Sequence, residues 1–169
     1  MLIFLVGYMG SGKTTFGTQL ARSMKLDWVD LDSDIEQQTG RSIAEIITRD
    51  GEDSFRALES EVLSKLLGAK NAVISTGGGT PCFHSNMDVM KASGVVVYLR
   101  YSAANLAARL ENDTENRPLL KGLIGQELEN HISSHLLQRE PFYQQAHITV
   151  DGMHTTIAGV LALPLAQSK

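Results

Sequence analysis

The stretch Gly7-Tyr8-Met9-Gly10-Ser11-Gly12-Lys13-Thr14 constrains this chain more than any other feature. It matches G-x-x-x-x-G-K-[ST] in full. It lies between an apolar run, Leu2–Val6, and a stripe of Phe16, Leu20 and Met24 at four-residue spacing. A buried strand, a glycine-rich turn and an amphipathic helix form the context in which this pattern holds a nucleoside triphosphate. The glycines let backbone N–H groups turn inward around phosphates, and the following helix aims its positive end at them. Lys13 is expected to reach the β- and γ-phosphates and the Thr14 hydroxyl to ligate magnesium. ATP or GTP is therefore the implied ligand.

The rest of the chain alternates in the same way. Short apolar runs at Leu2–Val6, Trp28–Leu31, Ala72–Thr76, Val95–Leu99 and Ile148–Val150 read as strands. The first shows no polar alternation, as expected of a strand covered on both faces. Helical patterns fill the gaps. Ser42 and Glu45 suit a capping box ahead of Ile43, Ile46 and Ile47, with Gly51 as the stop, and Phe55, Leu58, Val62 and Leu66 mark a further helix. Strand–helix alternation predicts an α/β fold with a mostly parallel sheet and helices on both faces. Residues 111–125 break the pattern, being polar and interrupted by Pro118 and Gly122. Such a stretch reads either as a functional lid or as an ordinary surface loop.

Composition narrows the setting. At 169 residues, 43% hydrophobic, the chain reads as one domain over 1–169 with a core that needs no metal or disulfide. Cys82 is the only cysteine, which excludes an internal disulfide framework and fits a reducing, cytoplasmic setting. No apolar run reaches the roughly 18 residues of a membrane span. A formal net charge of -4 speaks against non-specific nucleic-acid binding, so an anionic substrate must be met by locally gathered arginines. No long exposed apolar stripe is evident, and a monomer is expected. The five histidines, His84, His131, His135, His147 and His154, lack metal-ligand spacing.

Phosphoryl transfer to an alcohol needs a carboxylate that holds and deprotonates the hydroxyl, and magnesium to neutralise phosphate charge. Asp32 and Asp34 follow the second expected strand, and in extended backbone i and i+2 point to one side. Both would then stand at the carboxyl edge of the sheet, where open α/β folds place ligands. Asp32 suits the metal and Asp34 the hydroxyl. Equally, the pair reads as an acidic cap on a helix over Ile35–Thr39. Arg56 and Glu59 share a helix face, whether as a site pair or a solvated one. Gly77-Gly78-Gly79, after the third strand, lets backbone approach a ligand closely or simply makes a turn.

Taken together, Gly7–Thr14, Asp32-Ser33-Asp34, Phe55-Arg56-x-x-Glu59, Gly77–Gly79, Arg117-Pro118-Leu119-Leu120, and Arg139 with Tyr143 and Ala146 resemble the bacterial shikimate kinases. The similarity runs from about Phe4 to Val150. This resemblance implies a three-layer fold with a five-stranded parallel sheet in the order 2-3-1-4-5, like nucleoside monophosphate kinases. It also implies transfer of the γ-phosphoryl of ATP to the 3-hydroxyl of shikimate, in aromatic amino acid (chorismate) biosynthesis. On the nucleotide side it implies Gly10, Ser11, Gly12, Lys13, Thr14, Thr15, Arg109 and Arg117. For shikimate it implies a region of about 32–61, with Asp34 as base, Arg56 and Arg139 on the carboxylate, Glu59 orienting Arg56, and Gly78 and Gly79 lining the ring. Mg2+ would be held by Thr14 with Asp32, and Arg117 would come from a lid over about 111–125. The stretch Asp151-Gly152-Met153-His154 departs from the adenine-contacting loop of the relatives. The residues alone leave open a gluconate-type kinase, since gluconate also pairs a carboxylate with a polyol. They also leave open a non-catalytic, nucleotide-controlled module.

Overall fold

A computed structural model of the chain describes residues 1–114, 120–163 and 165. Five strands form one parallel sheet: β1 (Leu2–Val6), β2 (Asp27–Asp30), β3 (Ala72–Ser75), β4 (Val95–Arg100) and β5 (Ile148–Asp151). Their order is β2-β3-β1-β4-β5, and all four pairings are parallel. The helices are α1 (Lys13–Met24), α2 (Leu31–Thr39), α3 (Ile43–Asp50), α4 (Glu52–Leu66), α5 (Asn86–Ser93), α6 (Ala103–Leu110), α7 (Gly125–Tyr143) and α8 (Ile157–Leu161).

Side chains of β1 alternate between the sheet's two faces. Leu2, Phe4 and Val6 enter one core cluster, with Leu31, Ile35, Phe55, Val62, Leu106, Ile132 and Leu136. Ile3 and Leu5 enter the other, with Leu20, Ala21, Val97 and Val160. Both faces are dry, which explains why β1 reads as continuous apolar sequence. Each such fully buried aliphatic side chain contributes ~1.5–3 kcal/mol. The clusters thus fix β1, whose carboxyl end feeds directly into the phosphate-binding loop.

Local signals set the helix ends. Ser42 and Glu45 make both halves of a capping box on α3. Asp30 caps α2, its side chain accepting from the Ser33 N–H at 3.2 Å. That cap corrects a boundary. The strand ends at Asp30 and Leu31 begins the helix, because a carboxylate that takes an orphan amide there stabilises the helical start. Asp32 and Asp34 both lie in the first turn of α2, so their side chains do not share a side as they would on extended backbone.

Candidate active site

Between β1 and α1 the phosphate-binding loop closes on Gly12, whose φ of +83° sets the left-handed start of the helix. Lys13 is buried, and its Nζ donates to the carbonyls of Gly7 (2.8 Å) and Tyr8 (2.9 Å) and to Ser11 Oγ (3.4 Å). Gly10, Ser11, Gly12, Thr14 and Thr15 surround it on the loop and the first turn of α1. The Thr14 hydroxyl donates to Asp30 Oδ2 at 2.8 Å. The carboxylate that meets the Thr14 hydroxyl in this geometry is therefore Asp30, where the sequence points to Asp32.

Asp32 faces elsewhere. It stands near Glu59, Asp30, Lys13 and Arg56. Desolvation, followed by the like charges of Glu59 and Asp30, pushes its carboxyl up to about 6, against the pull of Lys13 and Arg56. Asp34 instead accepts from Gln38 Nε2 at 2.9 Å, one turn along its own helix. The helical step of 100° per residue separates the two carboxylates by about 200°. Asp32 thus points toward Glu59, Lys13 and Arg56, while Asp34, expected there, turns along its own helix.

Gly77, Gly78 and Gly79 gather the remaining groups. A Cβ at Gly77 would come within 2.8 Å of Asp32 Oδ1 and 2.9 Å of Glu59 Oε1. At Gly78 it would lie 3.2 Å from Arg139 Nη1, and at Gly79 2.5 Å from Arg56 Nη2. The run of glycines leaves room for four charged side chains at the end of β3. Arg56 is 7% exposed; its Nη1 donates to Glu59 Oε2 at 3.0 Å and its Nη2 to Glu52 Oε1 at 3.1 Å. Phe83 lies beneath its guanidinium, 4.5 Å from the ring centre. Glu59, fully buried, is held from its other oxygen by the Thr80 hydroxyl at 2.5 Å. Arg139, 8% exposed, lies over the Tyr8 ring at 5.7 Å. Two guanidiniums, two carboxylates and a buried lysine converge on one small volume, a layout suited to an anionic polyol beside a triphosphate.

The family model for shikimate kinase matches residues 9–163. The chain belongs to the shikimate kinase family. It is 46% identical to a shikimate kinase of Parabacteroides distasonis over 149 residues, 88% of this chain and 86% of the relative. A crystal structure of shikimate kinase from Bacteroides thetaiotaomicron superposes with a TM-score of 0.86 at 41% identity, covering 90% of this chain and 86% of that one. A second, shikimate kinase from Acinetobacter baumannii in complex with shikimate, gives a TM-score of 0.83 at 37% identity, with 95% and 87% covered. The doubly wound sheet in the order β2-β3-β1-β4-β5 is the fold of this family.

A second group of residues expected on the nucleotide side lies around Gly10. Arg109 Nε donates to the Gly10 carbonyl at 2.7 Å, and its guanidinium lies over Tyr101 at 5.0 Å. A cavity of ≈190 Å3 opens there, lined in part by Ser11, Thr15, Phe16, Tyr101, Arg109 and Gly152. Tyr101 was not legible as a site residue; its hydroxyl donates to the Gly152 carbonyl at 2.6 Å, a contact between residues 51 apart in sequence. Arg117 lies outside the described residues, as does part of the expected lid. A larger cavity of ≈500 Å3 lies beyond Tyr101, between α6, α7 and the end of β5. It contains none of the loop, Asp32 or the paired arginines, so the chemistry does not belong to it.

The donor set suits magnesium. A threonine hydroxyl and a carboxylate, both hard oxygens at the edge of a phosphate cradle, match an ion that keeps several waters and completes its shell with substrate phosphates. Among the described residues no group of three or more His, Cys, Asp or Glu forms a metal cage. Nor is any described helix long and apolar enough to cross a membrane.

Proposed function

We propose that the chain transfers the γ-phosphoryl group of ATP to the 3-hydroxyl of shikimate, giving shikimate 3-phosphate and ADP in aromatic amino acid biosynthesis. The observation that carries this reading is the convergence of Asp32, Glu59, Arg139 and Arg56 on Gly77–Gly79, beside Lys13. Membership of the shikimate kinase family weighs in the same direction.

In this mechanism Arg56 and Arg139 hold the substrate carboxylate through their planar forks. Glu59 fixes the orientation of Arg56. The ring lies against Gly78 and Gly79, and its 3-hydroxyl points to Asp32. Asp32 accepts the hydroxyl proton as the oxygen attacks the γ-phosphorus. A carboxyl poised at about 6 is a stronger base than an ordinary aspartate and remains ionised at neutral pH. Lys13, with backbone amides of Gly10–Thr14, stabilises charge on the β- and γ-phosphates, and Thr15 and Arg109 complete the nucleotide side. Thr14 and Asp30 would hold Mg2+, which would supply neutralisation of the phosphate charge. Arg117 retains the role that its family motif gives it, adding positive charge to the transition state. The enzyme acts as a cytoplasmic monomer.

Coupled ADP release with Mg-ATP is the direct test. Shikimate is expected to support turnover, with gluconate inert and the Lys13→Ala control silent. Turnover with gluconate alone overturns the acceptor assignment, and no acceptor-dependent release leaves a nucleotide-controlled module. In the same assay Arg139→Ala should raise the shikimate KM at least roughly tenfold, the scale of one lost charge-assisted contact, with ATP KM within about twofold. An unchanged shikimate KM removes Arg139 from the pocket.

A further inference from the structure

The phosphate-binding loop and α7 are joined by a contact that the mechanism above does not use. Tyr8, the second residue of the loop motif, is 1% exposed, and its hydroxyl lies 2.9 Å from His135 Nδ1 in a hydrogen bond. The two rings meet edge to face at 5.5 Å. On α7, His135 precedes Arg139 by four residues and Tyr143 by eight, so all three share the face turned toward the strand ends. Each reaches inward: His135 to the Tyr8 hydroxyl, Arg139 over the Tyr8 ring, and the Tyr143 hydroxyl to the Gly78 carbonyl at 2.6 Å. The backbone of Tyr8 meanwhile accepts from Lys13. One residue thus gives its carbonyl to the phosphate-directed ammonium and its ring to the carboxylate-directed guanidinium.

We propose that Tyr8 and His135 are positioning residues that hold Arg139 in its carboxylate-binding pose and so set the affinity for shikimate. This rests on the functional reading above. A free arginine side chain loses much rotamer freedom on binding, and a fixed aromatic platform removes part of that cost before the substrate arrives. The terminal torsion of a tyrosine is broad, so a ring anchored only by packing presents a softer platform than one also tied at its tip. His135 supplies that tie. Burial, with the nearby charge of Arg139, holds this imidazole down at about 4, so it stays neutral beside the guanidinium at working pH.

The test uses the full chain and steady-state kinetics in both substrates, with thermal unfolding measured alongside. Tyr8→Phe keeps the ring and deletes only the hydroxyl, and His135→Leu deletes its partner. Each should raise the shikimate KM about threefold to tenfold, the worth of one hydrogen bond, with ATP KM and kcat within about twofold. Because both remove the same contact, the double variant should be no worse than either single one. His135→Asn, which places an amide where Nδ1 stood, should restore most of the affinity. Where His135→Leu does not fold, Tyr8→Phe and His135→Asn carry the test. A folded Tyr8→Phe with unchanged shikimate KM, an equal rise in both KM values, or strictly additive effects overturns the proposal. Lowered melting temperature with kcat reduced at constant KM marks a merely structural contact and overturns it too. If the unmodified chain does not turn over shikimate at all, the functional reading itself falls and this inference falls with it.

Discussion

Asp32→Asn is expected to lower kcat by at least ~100-fold, the usual loss for a general base. Asp34→Asn is expected to change it by no more than about twofold, as for an ordinary surface substitution. Asparagine keeps the volume and the hydrogen-bonding reach at position 32 but cannot take up the hydroxyl proton. Two further signatures go with the first variant. The acid limb of kcat/KM in the unmodified enzyme should centre near 6, where the Asp32 carboxyl is held, and vanish in Asp32→Asn. Stability should move the opposite way to activity. The folded carboxyl sits at about 6 and the unfolded one near its ordinary 3.8. Ionisation is therefore harder in the folded state. The cost is absent below about 4, grows as pH rises through that window, and is complete above about 6. At about 1.4 kcal/mol per pH unit this amounts to ~3 kcal/mol, less whatever solvent access relieves. Asp32→Asn should then melt several degrees higher at pH 7.5 and no higher at pH 4. If Asp34→Asn proves the inactive variant and Asp32→Asn turns over normally, the assignment is reversed.

Lys13→Ala should cost roughly 10³-fold in kcat/KM for ATP, the range for removing a preorganised charge aimed at a transferring phosphoryl group. The lysine is buried among loop carbonyls, with Gly7, Tyr8 and Ser11 accepting from it. Its removal therefore also frees the loop that carries the amide cradle. Lys13→Arg should rescue poorly, since a planar fork does not reproduce a compact ammonium in that space. A secondary effect follows from its field. Lys13 is one of two cations drawing Asp32 downward, so any residual activity in Lys13→Ala should show its acid limb shifted above 6. Turnover within about tenfold of the unmodified chain would refute the phosphate role.

Much of this was legible in the sequence because its causes are local. The uninterrupted apolar runs marked strands buried on two faces, and the loop motif announced its own turn. The capping box on α3 could be read from Ser42 and Glu45 alone. The boundary between β2 and α2 was harder to read because Leu31 extends an apolar run and disguises the helix start. The signal that separates the two was present: an aspartate three residues ahead of a serine amide, with further acids in the first turn, is an N-terminal cap. Reading Asp30 that way turns Asp32 inward and Asp34 along the helix. The order of the strands came from family resemblance, since parallel crossovers leave no mark in composition. Tyr8 with His135, and Thr14 with Asp30, escaped because each joins elements that only the folded sheet brings together.

The three glycines after β3 have a consequence for how the enzyme fails. Each backbone position abuts a different functional group: Gly77 the two acids, Gly78 Arg139, and Gly79 Arg56. One additional methyl group, moved along three consecutive positions, therefore presses on three separate sets of side chains. Alanine at 77 should damage turnover, while at 78 or 79 it should damage acceptor capture, each through a different guanidinium. Lesions identical in chemistry and adjacent in the chain, at 77 and at 78, would yield unlike kinetic phenotypes. A mutational scan would thus read this tripeptide as an index to the pocket, one letter per ligand-facing group.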